Sequence, residues 1–233
     1  MGRRDLTLEY RGKSIYRHIL DATSAPKNRP DFLCYVMGPY TPFDLTYAYS
    51  DEDIGRPYID AELFDPDEHE DMEATLRDIC TELGSDPGIR AFIATDIGIP
   101  TTREARRERL DETGLSPLDQ SIEYATVSDA VIFILDEAGL NAGVASEIGA
   151  ILGEFNLRRR NRNPSRKPRR RFRIYHSDGF SSASIEEIPH GFGIDTYEYE
   201  SETDLLRNIR NFVTNVENLT RFEGLELYNR PRD

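Results

Sequence analysis

Lysine is almost missing from this chain: among 233 residues only Lys13, Lys27 and Lys167 are lysines, so arginine carries nearly all the positive charge. Tryptophan is absent, and there are only two cysteines. Cys34 and Cys80 both stand in apolar surroundings, which argues for two buried thiols rather than a disulfide, and for a reducing compartment. No apolar run approaches the roughly 20 residues of a membrane-spanning helix. The opening residues, MGRRDLTLEYRGK, lack the apolar core of a secretion signal. The expectation is a soluble, cytoplasmic protein with no membrane partner. Positive charge as a whole is scarce, with 29 Lys and Arg against 43 Asp and Glu, a formal net charge of −14. An acid-rich, lysine-poor surface fits a halophilic protein, in which negative charge maintains solubility in strong brine and says little about partners.

What is present reads as one α/β domain, long enough to bury a full core. Residues 1–30 form a polar extension, with a short helix over 14–20 that places Ile15, Ile19 and Leu20 on one side. The main domain spans 31–222, and 223–233 is a tail. Strands are expected at Phe32–Met37, 89–93, Ala130–Leu135, 172–176 and 197–199, with helices over 66–83, 101–110, from Ser116-Pro117 onward, from Val144 onward and over 203–219. Strands alternating with helices imply a mostly parallel sheet covered on both faces. Residues 41–63 form a long acidic loop containing Tyr47, Tyr49 and Tyr58, a length that marks a lid, a binding loop or disorder. His69 is isolated, and no metal-ligand set or cofactor motif accompanies it.

The chain is organised around residues 129–155. Ala130–Leu135 is a continuous apolar run suited to a strand buried on both faces. Gly139, Asn141 and Gly143 then supply turn geometry, and from Val144 the apolar residues recur at helical spacing. Glu147 falls in the first turn of that helix. An acid there has an ordinary explanation, because the macrodipole and free N–H groups favour it. It also has a chemical one: Gly143 and Ala145 leave room for a ligand at the carboxyl end of a strand, where such sheets bind ligands. A second strand end, Gly38-Pro39-Tyr40, lies upstream. Residues 158–173 carry ten positive charges and no acid. A solvated loop pairing with the acidic surface explains them better than nucleic-acid binding, because aromatics are not interleaved with the charges.

Three pieces, taken in order, resemble the nucleoside 2-deoxyribosyltransferase and nucleotide N-glycosidase family. They are a strand ending Tyr35-Val36-Met37-Gly38-Pro39-Tyr40, the Ser128-Asp129 that opens the next core strand, and Gly143-Val144-Ala145-Ser146-Glu147-Ile148-Gly149-Ala150. The resemblance implies a flavodoxin-like, doubly wound, five-stranded sheet with helices on both faces, and an enzyme that breaks N-glycosidic bonds without a cofactor. It implies Glu147 as nucleophile, Tyr35 as its orienter and Asp129 as second acid. Gly38, Pro39, Tyr40, Asn141, Gly143 and Ser146 would bind the substrate, a nucleoside or nucleotide. Family pockets are often completed by a second subunit, so a homo-oligomer is also implied. Asn141 stands where the transferases carry an Asp that contacts the base, which tilts the expectation toward hydrolysis; the Arg-rich loop would be a phosphate contact. The alternative is a non-catalytic nucleotide-sensing domain of the same fold.

Overall fold

The computed structural model describes residues 9–23, 32–39, 72–86, 89–110, 113–136, 141–155, 169–180 and 182–222. Tyr40, the linker at 25–30, the acidic loop 41–63, the helix opening at 66–71 with His69, residues 158–168 of the basic run and the tail 223–233 lie outside the described residues.

A two-stranded hairpin, β1 (Glu9–Tyr10) and β2 (Lys13–Ser14), leads into α1 (Ile15–Ala22). The Ser14 hydroxyl caps this helix by accepting from the Arg17 N–H at 3.2 Å, which satisfies one of the donors a helix start leaves open. Ile15 and Ile19 then reach the main core. Next come β3 (Phe32–Met37), α2 (Met72–Gly84), β4 (Ile89–Phe92), a 3-10 turn (Ala94–Ile97), α3 (Thr102–Arg107), α4 (Pro117–Val127), β5 (Ala130–Leu135) and α5 (Asn141–Glu154). The chain closes with β6 (Phe172–Ser177), the short α6 (Ala183–Glu186) and α7 (Ile188–Phe192), β7 (Thr196–Tyr199) and α8 (Glu202–Phe222).

The five longer strands form one sheet in the order β4-β3-β5-β6-β7, and every pairing in it is parallel. Numbered along the sheet's own strands this is 2-1-3-4-5, the flavodoxin-like doubly wound order. The sequence dictates why β5 is central. All six of its residues are buried, and alternation sends Val131, Phe133 and Leu135 to one core and Ala130, Ile132 and Ile134 to the other. Each large side chain removed from water in this way contributes about 1.5–3 kcal/mol. The first core is covered by α1, α4 and α5 through Ile19, Ile122 and Ile151. The second is covered by α2 and α8 through Leu76, Ile79, Ile209 and Phe212. Both cysteines are buried thiols. Among the described residues, no helix is long and apolar enough to cross a membrane.

The helix start that bears on the site differs from the sequence expectation. Helix α5 starts at Asn141, not Val144. The Asn141 side chain accepts from the Asp136 N–H at 3.2 Å and donates to the Asp136 carbonyl. An amide folded back onto the strand's last peptide lets the helix begin at that residue.

Candidate functional site

In a doubly wound sheet the strands' carboxyl ends and the starts of the following helices share one edge, and a cavity of about 450 Å³ opens along it. One wall follows β4: the turn through Ala94 and Thr95, then Gly98, Ile99, Pro100 and Thr101. Gly98 sits at φ +68°, a left-handed conformation that side chains resist, and ends the 3-10 turn. From α2, Arg77 ties the turn down through Asp96 (3.2 Å), and Glu73 accepts from the Thr95 hydroxyl (2.9 Å). The outer wall is α3, with Glu104, Glu108 and Leu110 beyond it. Thr101 and Glu104 cap that helix reciprocally, at 2.7 and 3.2 Å. Hydrogen bonds from the Thr101 backbone and side chain hold the Glu104 carboxyl below its ordinary range, so Glu104 stays ionised. The inner wall is the first turns of α4, Pro117, Gln120 and Ser121, together with Glu147 from α5.

Glu147 is half-buried. Burial raises its pKa above the ordinary carboxylic value, and the Ser121 hydroxyl pulls it partly back. The cause differs from the sequence argument. That argument put Glu147 in a first turn, where the dipole would favour the ionised form; with the helix starting at Asn141, the first turn holds no acid. Glu147 sits a full turn deeper, beside α4, where desolvation outweighs the dipole.

The other expected residues divide. Asp129 is not at the cavity. It precedes β5 at the amino edge of the sheet and is 1 % exposed. Its Oδ2 accepts from the Leu33 N–H at 2.8 Å, and Arg171 Nη1 stands 3.1 Å from its carbonyl and 3.5 Å from Oδ1. The residue that opens a parallel strand lies one strand length, about 20 Å, from the residue that closes it. Asp129 therefore clamps three strand starts and has no place as a second acid beside Glu147. Tyr35 is mid-strand and fully buried, its ring 5.2 Å from Phe92 and 5.6 Å from Tyr124. It does not line the cavity, and the hydroxyl that bears on Glu147 is that of Ser121. The Asn141 amide is committed to Asp136. Gly38 and Pro39 are buried; a Cβ on Gly38 would stand 2.7 Å from Leu76 Cδ2, so this glycine admits α2 rather than a ligand. Gly143 and Ser146 are exposed, and the Ser146 hydroxyl donates to the Ala142 carbonyl at 2.9 Å. None of these lines the cavity, so of the expected set only Glu147 does. Tyr40 lies outside the described residues.

Sequence reasoning missed Ser121, Gln120, Glu104 and Arg11. A signal existed for the first two. Helix α4 runs back toward the start of β5, so its first turns lie at the carboxyl edge, and Gln120 and Ser121 are polar yet 5 % and 2 % exposed. Gln120 donates to the Ile99 carbonyl at 2.8 Å, fixing the cavity floor. Arg11, from the hairpin of an extension that carried no visible chemistry, also lines the cavity. Among the described residues, no three His, Cys, Asp or Glu side chains are grouped to hold a metal.

No curated protein matches this sequence. The family described as a domain of unknown function, DUF7509, matches residues 17–229, and the chain belongs to that family.

Proposed function

We propose that the chain breaks the N-glycosidic bond of a nucleoside or nucleotide, by hydrolysis or by transfer of the deoxyribosyl group, with Glu147 as nucleophile. The observation that carries this reading is a desolvated carboxyl, Glu147, facing a cavity of about 450 Å³ at the ligand-binding edge of the sheet. That volume is within the range of small-molecule sites, about 300–1,000 Å³. Loss of the base builds positive charge at the anomeric carbon. A carboxylate held out of water attacks that carbon, the base leaves with the bonding electrons and takes up a proton, and water or a second base then displaces the sugar from Glu147. The Ser121 hydroxyl, which donates to the Pro117 carbonyl at 3.0 Å, also favours the charged form of Glu147. Glu104, kept ionised, stabilises the cationic sugar but has no proton to give, so the leaving base draws its proton from water.

Under this reading the protein works in the cytoplasm as an enzyme without a cofactor, and a second copy completes the cavity mouth. The test is base release from a panel of nucleosides and deoxynucleotides, with rapid quenching and mass spectrometry of the protein. A sugar adduct on Glu147 that is absent from Glu147→Ala supports the proposal. Wild-type protein that releases no base from any member of the panel overturns it.

A binding-only reading has one observation in its favour: Asp129, the second acid the resemblance implied, is committed to Leu33 and Arg171. It predicts that a nucleotide raises the melting temperature and is recovered intact.

A further inference from the structure

The inner wall of the Glu147 cavity holds an acceptor that the protein leaves open. Every residue of α4 from Gln120 to Val127 is buried. Gln120 is 5 % exposed and lines the cavity, so the little solvent contact it keeps is contact with that cavity. Two bonds fix where its amide stands. The Ser116 hydroxyl accepts from the Asp119 N–H at 3.1 Å and sets the start of the helix. Gln120 Nε2 donates to the Ile99 carbonyl at 2.8 Å. A carbonyl can receive only the NH2 end of an amide, so this bond also decides which end of the planar group is which. The other end, Oε1, accepts no hydrogen bond among the described residues. Nor is it one of the sealed polar atoms that lack a partner there, so an entering group can reach it. Amide oxygens this deep are normally bonded to protein or to ordered water.

The rest of the described lining has the same polarity. Ser121 donates its hydroxyl hydrogen to the Pro117 carbonyl at 3.0 Å, and Thr95 donates its own to Glu73 at 2.9 Å. The Thr101 N–H donates to Glu104 at 2.7 Å. These donors are committed inside the protein. Glu104, Glu108 and Glu147 add carboxylates, and Arg11 is the basic residue of the described lining. A ligand that enters therefore meets mainly acceptors, and the wall favours one that brings O–H or N–H groups.

We propose that Gln120 determines specificity in this cavity: its Oε1 accepts from a hydroxyl or amino group of the bound ligand, and a ligand without that donor is rejected. The proposal rests on reading the cavity as a nucleoside or nucleotide site. A fixed, buried acceptor discriminates because an analogue lacking the donor leaves the oxygen unpaired. The test compares binding to full chains carrying Glu147→Gln, with Gln120 kept or changed by Gln120→Met. Adenosine and cytidine are titrated calorimetrically beside analogues lacking the 2′-hydroxyl, the 3′-hydroxyl, the 5′-hydroxyl or the exocyclic amino group. With Gln120 kept, one analogue binds about tenfold or more weakly than its parent, and its missing group says whether the donor is on the sugar or the base. In Gln120→Met the parent weakens to match and the gap closes. Loss of the Ile99 bond acts on parent and analogue alike, so it cannot produce that pattern. If Gln120→Met does not fold, Gln120→Asn, which withdraws the amide by one methylene, carries the same comparison. Failure of both parents to bind, no gap with Gln120 kept, or a gap that persists in the variant overturns the proposal. Base release by the wild-type chain is scored separately on the same ligands. Release without the Gln120 pattern removes this proposal and leaves the enzymatic reading standing; the pattern without release does the reverse.

Discussion

Asp129 opens one strand–helix unit and Glu147 lies within its helix, the first buried and the second half-buried, and the fold treats them oppositely. Asp129 lies at the amino edge among complementary groups, with the Leu33 N–H on one carboxylate oxygen and Arg171 near the other. Glu147 lies against a cavity with a hydroxyl as the neighbour that favours its charge, and burial raises its pKa. The contrast is between an acid whose charge is matched inside the protein and one that stands at a cavity, where, on the proposed reading, an entering group matches it.

The largest expected effect breaks the matched end. Asp129→Ala or Arg171→Ala leaves its partner buried and uncompensated, and destabilises the protein by about 3–5 kcal/mol, read as a fall in the urea midpoint. A loss below about 1 kcal/mol for both would show that the clamp is not structural. Gly114→Ala comes next and acts on the cavity wall. A Cβ there would stand 2.4 Å from the Pro100 and Thr101 carbonyl oxygens, which are backbone and cannot swing away. The expected loss is about 1–3 kcal/mol, accompanied by a higher KM, because Pro100 and Thr101 line the cavity. A variant as stable as the wild type, with the same KM, would place that wall away from the ligand.

The smallest change sharpens the unmatched end. Ser121→Ala removes the hydroxyl that draws the Glu147 pKa down, so burial acts alone. On the proposed mechanism activity needs the ionised carboxylate, so the acid limb of the pH profile moves to higher pH, and the rate just above that limb falls by up to about tenfold. An acid limb that does not move would detach Ser121 from Glu147.

The architecture was legible because its signals are local. The run Ala130–Leu135, with no polar residue to face water, can only be a strand covered on both sides, and Leu205, Ile209, Phe212 and Val216 recur at helical spacing. Of the candidate cavity's lining, one residue was legible. Glu147 was found because it follows a strand end. Asp129 was assigned to the same hollow although a residue opening a parallel strand lies at the far edge, a fact of strand direction that the motif conceals. Tyr35 failed for a related reason: it precedes the strand's last residue by two, and so is under the helix layer, stacked on Phe92. The cavity's remaining lining, Ser121, Gln120, Glu104 and Arg11, comes from three separate segments. Only the tertiary fold brings them together, and each reads locally as a cap, a helix face or a turn.

Glu147→Gln tests the account most directly, with base release and thermal stability measured on the same sample. Between the ordinary glutamate pKa and the raised one, the folded chain binds a proton that the unfolded chain does not, so wild-type stability falls as pH rises through that window. Glutamine has no charge to desolvate. The account predicts a variant that melts higher than the wild type at neutral pH and loses base release by about a thousandfold or more. A variant that melts lower, or that releases base at the wild-type rate, would contradict it.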